Sequence, residues 1–181
     1  MIIDRKNKYK GWINIDELTI KTKKGKEIRR EVMTRKNAVA ALVYDTNLKK
    51  YIFVSQYRPG SASDIIEIAA GTMDHENEDP RDCMIREVEE EIGYKVDTIK
   101  LIDECFVSPG GTTEKITIYF AEVSIKVGEG GGVEGEDEEI DIVEMSKEDM
   151  LTTRFMDAKT IIAVNWAKYN YNDGTGSEPN V

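Results

Sequence analysis

Residues 71–94, GTMDHENEDPRDCMIREVEEEIGY, decide the fold. The stretch reads as a polar loop leading into a charged amphipathic helix. Asp79 is placed to cap, Pro80 suits the first helical position, and Asp82 stands where a capping-box acid belongs. Helical spacing runs to Gly93, a C-terminal stop. Met84, Ile85, Val88 and Ile92 share one side, the expected core face. Glu87, Glu90 and Glu91 fall at i, i+3 and i+4 and share a neighbouring face. Carboxylates that close repel unless a cation neutralises them, and oxygen ligands suit Mg²⁺, or Mn²⁺. Taken alone, the same helix also reads as a solvated acidic face.

Outside this stretch the composition is that of a globular chain: 181 residues, 40% hydrophobic, 33% charged, formal net charge −10. An acidic surface disfavours nonspecific binding to nucleic acid or to anionic membrane, so neither is an expected partner. A polyanionic substrate would need a local basic pocket and a metal. Cys83 and Cys105 are expected as buried, reduced thiols. The single histidine, His75, leaves no material for a His-rich zinc site. No apolar run is long enough to span a membrane, and no signal peptide or repeat is evident, so a cytoplasmic protein is expected.

Around WINIDELTI (12–20) and EIRREVMT (27–34) the pattern is a β-hairpin with Gly25 at its tip. This basic segment is either an edge hairpin protected by lysines or a face that turns Arg29, Arg30 and Glu31 to a nucleotide. AVAALVYD (38–45) is apolar almost throughout, as a buried central strand should be. KYIFVSQYRPG (50–60) is a second strand; Arg58 at its end is a surface residue or a phosphate clamp. IIEIAAG (65–71) is a short strand entering the helix loop. Strands follow over 98–108 and 113–124, joined by a tight turn at Ser108–Thr112 with Glu114 at its exit. Residues 128–139 are glycine-rich and acidic, hence expected to be mobile and exposed. They read as a linker or as a loop that supplies a carboxylate when substrate arrives. IDIVEM is a strand, and two helices follow, capped by Ser146 and Asp157. Ile161, Ile162, Val164 and Trp166 are core candidates of the second.

Gly71, Glu78 and Arg86–Tyr94 (REVEEEIGY) resemble the Nudix hydrolase signature, with six rather than five residues between Gly71 and Glu78. Gln56-Tyr57-Arg58, Ser108–Glu114 and Gly130–Glu134 resemble the nucleoside-diphosphate-sugar branch of that family. The triple glycine, Asp157–Thr160 and Arg29–Glu31 are similar to GDP-mannose hydrolases more than to ADP-ribose enzymes. The resemblance implies an α+β fold: an α/β/α sandwich on a mixed sheet, with an N-terminal β extension (1–36), a hydrolase domain (37–170) and a disordered tail (171–181). It implies a homodimer in which the extension reaches the partner's site. It also implies hydrolysis of a nucleotide sugar at its pyrophosphate, GDP-mannose before ADP-ribose. A binding module that does not cut is the rival, disfavoured by the complete set of helix glutamates.

The family's metal ligands fall on Glu87, Glu91 and the Ala70 carbonyl, with Glu90 as a further or outer ligand and Arg86 orienting the glutamates. The base falls on Glu138, with Glu136 as rival and Asp137 between them; Glu138 would alternatively complete the metal site. Gly71, Arg58, Glu114, Asp137, Lys159, Arg29, Arg30, Glu31 and Tyr9 carry over as substrate contacts, Tyr9 by stacking on the base.

Overall fold

The computed structural model describes residues 1–75, 77–132, 139–172 and 174. The chain divides into two compact units, one of residues 1–38 with 104–116, the other of 39–103 with 117–181.

The first unit is built on a three-stranded antiparallel sheet in the order β1 (Ile2–Lys10), β2 (Asn14–Lys21), β3 (Glu27–Thr34). The β2–β3 hairpin is the expected one, with Gly25 at φ 80° in its turn. β1 is an additional strand, and every one of its residues is exposed. Such a strand has no apolar/polar alternation to betray it. The segment 104–116 joins this unit through Met33, whose N–H donates to Gly111 O at 2.8 Å and whose carbonyl accepts from Thr113 N–H at 3.0 Å.

The second unit holds a mixed seven-stranded sheet whose main order is β10 (Asp141–Met145), β5 (Lys50–Arg58), β4 (Ala38–Asp45), β9 (Lys115–Lys126), β8 (Tyr94–Phe106). β4 is central and buried from Val39 to Asp45, as its apolar run requires. Val39, Ala41 and Val43 pack with Cys83, Met84, Val88 and Ile92 of α1 (Pro80–Ile92) in one core cluster. Aromatic side chains meet the elements after β10: Phe53 stacks on Phe155 at 5.1 Å, and Phe120 lies 5.4 Å from Trp166 of α3 (Ala158–Asn170). The result is an α/β/α sandwich in an α+β fold. α2 (Lys147–Thr152) is short and closed by the full Ser146/Asp149 capping box. Tyr171 is docked, its hydroxyl donating to Glu122 Oε1 at 2.6 Å.

Several expected elements differ in detail. IIEIAAG forms two strands, β6 (Ser63–Glu67) on β5 and β7 (Ala69–Thr72) on β4. The break falls at Ile68, whose N–H donates to Thr160 Oγ1 of α3 at 2.9 Å instead of to a ladder partner. β8 begins at Tyr94, directly after the helix stop and four residues ahead of the expected start. In α3 the buried side chains are Thr160, Ala163, Val164 and Ala167, while Ile161 is exposed. Cys83 is buried as expected, but Cys105 is only half-buried, because β8 faces outward along most of its length.

Candidate metal and diphosphate site

The local chemistry of α1 follows its sequence. Asp79 Oδ1 accepts from Arg81 N–H at 2.8 Å, Pro80 opens the helix, and Gly93 closes it at φ 74°. Once the helix is seated on β4 by its apolar side, its glutamates lie beside β7. Ala70 N–H donates to Glu91 Oε2 at 3.0 Å, and Glu91 is 7% exposed. Gly71 lies against Glu87 so closely that a Cβ there would stand 2.0 Å from Glu87 Cδ. Glycine is required here by contact rather than by backbone angle.

Arg86 gathers the remaining acids. Its Nη2 is 2.8 Å from Glu87 Oε1, its Nη1 donates to Glu90 Oε2 at 2.6 Å, and its Nε donates to Glu78 Oε1 at 3.3 Å. Burial opposes the charge on Arg86, but Glu78, Glu87 and Glu90 more than offset it and raise its pKa. The same hydrogen bond from Arg86 lowers the pKa of Glu78. Burial, with Glu78 alongside, pushes the Cys83 thiol up to about 12, so this cysteine is a packing residue.

The extra residue between Gly71 and Glu78 leaves the Glu78–Arg86 pair intact. Three carboxylates (Glu78, Glu87, Glu90) then share a single guanidinium, and Glu91 stands beside them on the Ala70 N–H, so negative charge is in excess here. Glu78 Oε2 is buried without a hydrogen-bond partner. Among the described residues no three His, Cys, Asp or Glu side chains are drawn into one cage. The donor set nonetheless fits a hard divalent cation: all-oxygen, excess negative charge, and a glycine where any side chain would intrude.

A second cluster surrounds Glu67, a residue the sequence reading passed over. Its Oε1 accepts from Arg58 Nε at 2.5 Å, and its Oε2 pairs with Lys159 Nζ, itself 3.1 Å from Asp157 Oδ1. A glutamate inside the apolar run IIEIAAG was the available signal, since a charge there has to be paired. The triple glycine differs from the expected exposed loop. Gly131 N–H donates to Glu91 O at 2.7 Å and Gly132 N–H to Glu90 O at 3.3 Å, so residues 130–132 cap the signature helix and are half-buried. Gly130–Gly132 all have positive φ, between 72° and 96°.

The structure therefore brings Ala70, Gly71, Glu87, Glu90 and Glu91 together, and separately Arg58 and Lys159. The remaining expected contacts lie in the first unit. Tyr9 is exposed on β1, and Arg29, Arg30 and Glu31 are exposed on β3, with Arg30 Nη1 donating to Arg29 O at 2.8 Å. Glu114 lies 3.8 Å from Arg35 Nε. Glu136, Asp137 and Glu138 fall outside the described residues.

A charged helix docked by its apolar side, with its glutamates turned to a strand–glycine corner, marks one class of protein. The chain belongs to the Nudix family, whose domain profile matches residues 33–163, and it is a Nudix hydrolase. Among its relatives is the GDP-mannose pyrophosphatase of Escherichia coli (strain K12), 34% identical over 163 residues, covering 82% of this chain and 83% of that protein. Another is the GDP-mannose pyrophosphatase of Yersinia pestis (strain Pestoides F), 33% identical over 178 residues, covering 90% and 88%. A crystal structure described as an ADP compounds hydrolase superposes with a TM-score of 0.76 over 93% of this chain and 94% of its own, at 19% identity. That likeness confirms the fold.

Proposed function

We propose that this protein hydrolyses the pyrophosphate bond of GDP-mannose with the help of Mg²⁺ or Mn²⁺, releasing GMP and mannose 1-phosphate. The observation that carries this reading is the complete carboxylate set on α1, Glu87 and Glu90 paired with Arg86 and Glu91 held by the Ala70 N–H at the Ala70–Gly71 corner. Two relatives named GDP-mannose pyrophosphatase match most of the chain and favour GDP-mannose over ADP-ribose. A module that only binds nucleotide sugars would have no need of an intact set of metal-ligand carboxylates.

Glu87, Glu91 and the Ala70 carbonyl would hold the metal, with Glu90 completing or supporting the shell. A bound divalent cation neutralises charge on the diphosphate and acidifies a water. Arg86 orients the glutamates by its salt bridges. Arg58 and Lys159 bind the anionic substrate, and Gly71 leaves room beside it. Glu138, or Glu136 with Asp137 beside it, accepts the proton of the attacking water. Tyr9 stacks on the base, and Arg29, Arg30, Glu31 and Glu114 complete the nucleotide contacts.

We assign residues 1–36 to a dimerisation extension, 37–170 to the hydrolase domain and 171–181 to a tail that leaves from the docked Tyr171. The exposed Ile2, Ile3, Tyr9 and Trp12 of the extension favour a second copy as the covering partner in a homodimer. No described helix is long and apolar enough to cross a membrane. We place the protein in the cytoplasm.

The test is a panel of GDP-mannose, ADP-ribose, ADP-glucose and a nucleoside triphosphate, each with and without Mg²⁺ or Mn²⁺. The reading requires metal-dependent release of phosphate monoesters with GDP-mannose the best substrate. Preference for ADP-ribose would overturn the substrate, and absence of metal-dependent turnover would overturn the reaction.

A further inference from the structure

Glu67 ends β6 at 2% exposure, and no packing need explains a charge there. Its Oε1 meets both Nε and Nη2 of Arg58 at 2.5 Å, and its Oε2 meets Lys159. Lys159 also touches Asp157. The second oxygen of Asp157 accepts from the backbone N–H and the hydroxyl of Thr160, at 2.9 and 2.6 Å. Thr160 in turn receives Ile68 N–H. A closed network thus joins β5, β6 and the first turn of α3. Buried ionic networks are poor stabilisers, because well-packed apolar side chains of the same volume do as well or better. Stability alone does not account for Glu67.

The geometry offers another account. Glu67 occupies the Nε/Nη2 edge of Arg58 and leaves the rest of the guanidinium outward, with 42% of the side chain exposed. Lys159 is held alongside by the same carboxylate. Three residues further on, Ala70 N–H holds the Glu91 carboxylate. Three residues of chain hold Glu67 and Ala70 within at most about 10 Å of each other. One short segment, Glu67–Gly71, therefore carries the cation pair at one end and the metal carboxylates at the other.

We propose that Glu67 is a positioning residue that presents Arg58 and Lys159 as a fixed cation pair, and that Glu67–Gly71 sets the spacing between that pair and the metal carboxylates. The inference rests on the pyrophosphohydrolase reading.

A double-mutant cycle tests it. Glu67→Gln keeps the side-chain shape and removes the charge shared by both cations. It should raise KM for GDP-mannose by roughly 10- to 100-fold, the span expected when charged hydrogen bonds are lost, with a smaller change in kcat. In an Arg58→Ala/Lys159→Ala background it should cause no further loss of kcat/KM, because its partners are gone. Mn²⁺ affinity, read by paramagnetic resonance without substrate, should be unchanged. Should Glu67→Gln fail to fold, Glu67→Asp, which keeps the charge and withdraws it by one methylene, takes its place in the cycle. An unchanged KM, or losses that add in the triple variant, would overturn the proposal while leaving the hydrolase reading intact. Wild-type protein without metal-dependent turnover would overturn both.

Discussion

Gly71→Ala separates the fold from the chemistry. The new methyl would sit 2.0 Å from Glu87 Cδ and 2.4 Å from its Cγ and Oε1. Ordinary carbon–carbon contact is about 3.5 Å, so the Glu87 carboxylate has to retreat by about 1.5 Å. The obstacle is the far end of a side chain, and Gly71 has no positive φ that alanine would resent. The fold should lose no more than the about 1–3 kcal/mol typical of overpacking. Catalysis should lose far more, since misplacing a reacting group by 1 Å costs about 100-fold. The retreat also pulls on the Arg86 Nη2–Glu87 pair, now 2.8 Å apart, and so on Glu90 and Glu78 through the same guanidinium. We expect kcat for GDP-mannose to fall about 100-fold, Mn²⁺ affinity to weaken, and the melting temperature to move by only a few degrees. A Gly71→Ala protein with wild-type kcat and wild-type Mn²⁺ affinity would refute the placement of Glu87 at the metal.

Three further outcomes follow from the same geometry. Glu91→Gln should depress kcat by more than the roughly 10–100-fold seen for outer partners of a metal, with the fold retained; near-normal turnover would remove Glu91 from the ligand set. Gly130→Ala places a methyl 2.7 Å from Glu91 O at φ 72°, which should cost about 1–3 kcal/mol in a denaturant melt, whereas Gly110→Ala, with open space around its Cβ, should be silent. With its thiol pushed up to about 12, Cys83 is only about one part in ten thousand thiolate at pH 8, so iodoacetamide should label half-buried Cys105 first, and equal rates in the folded protein would contradict the burial of Cys83.

What the sequence determined by itself was whatever depends on neighbours along the chain. The Asp79 cap, Pro80 and the Gly93 stop define α1 because capping acts over three or four residues. Met84, Val88 and Ile92 declare its core face because helical periodicity is local. The apolar run 38–45 announces a strand buried on both sides for the same reason. The candidate metal ligands were legible because Glu87 and Glu91 are one turn apart on that helix, and the family resemblance attached Ala70 and Gly71 to them. Only the tertiary structure decided what depends on distant contacts. Glu67 and Lys159 are 92 residues apart, and no period links them. The split of IIEIAAG at Ile68 is imposed by Thr160, again from α3. Composition made Gly130–Gly132 look like a free linker, yet these glycines close the far end of α1, all three at positive φ and Gly130 so near Glu91 O that a Cβ would stand 2.7 Å from it. Ile161 is exposed in α3 while Ala163 and Ala167 are buried, since the side of the helix that packs is chosen by distant partners and not by the chain's own apolar pattern. Glycine at position 71 was visible in the sequence; the reason for it, a carboxylate standing where a methyl would be, exists only once helix and strand have met.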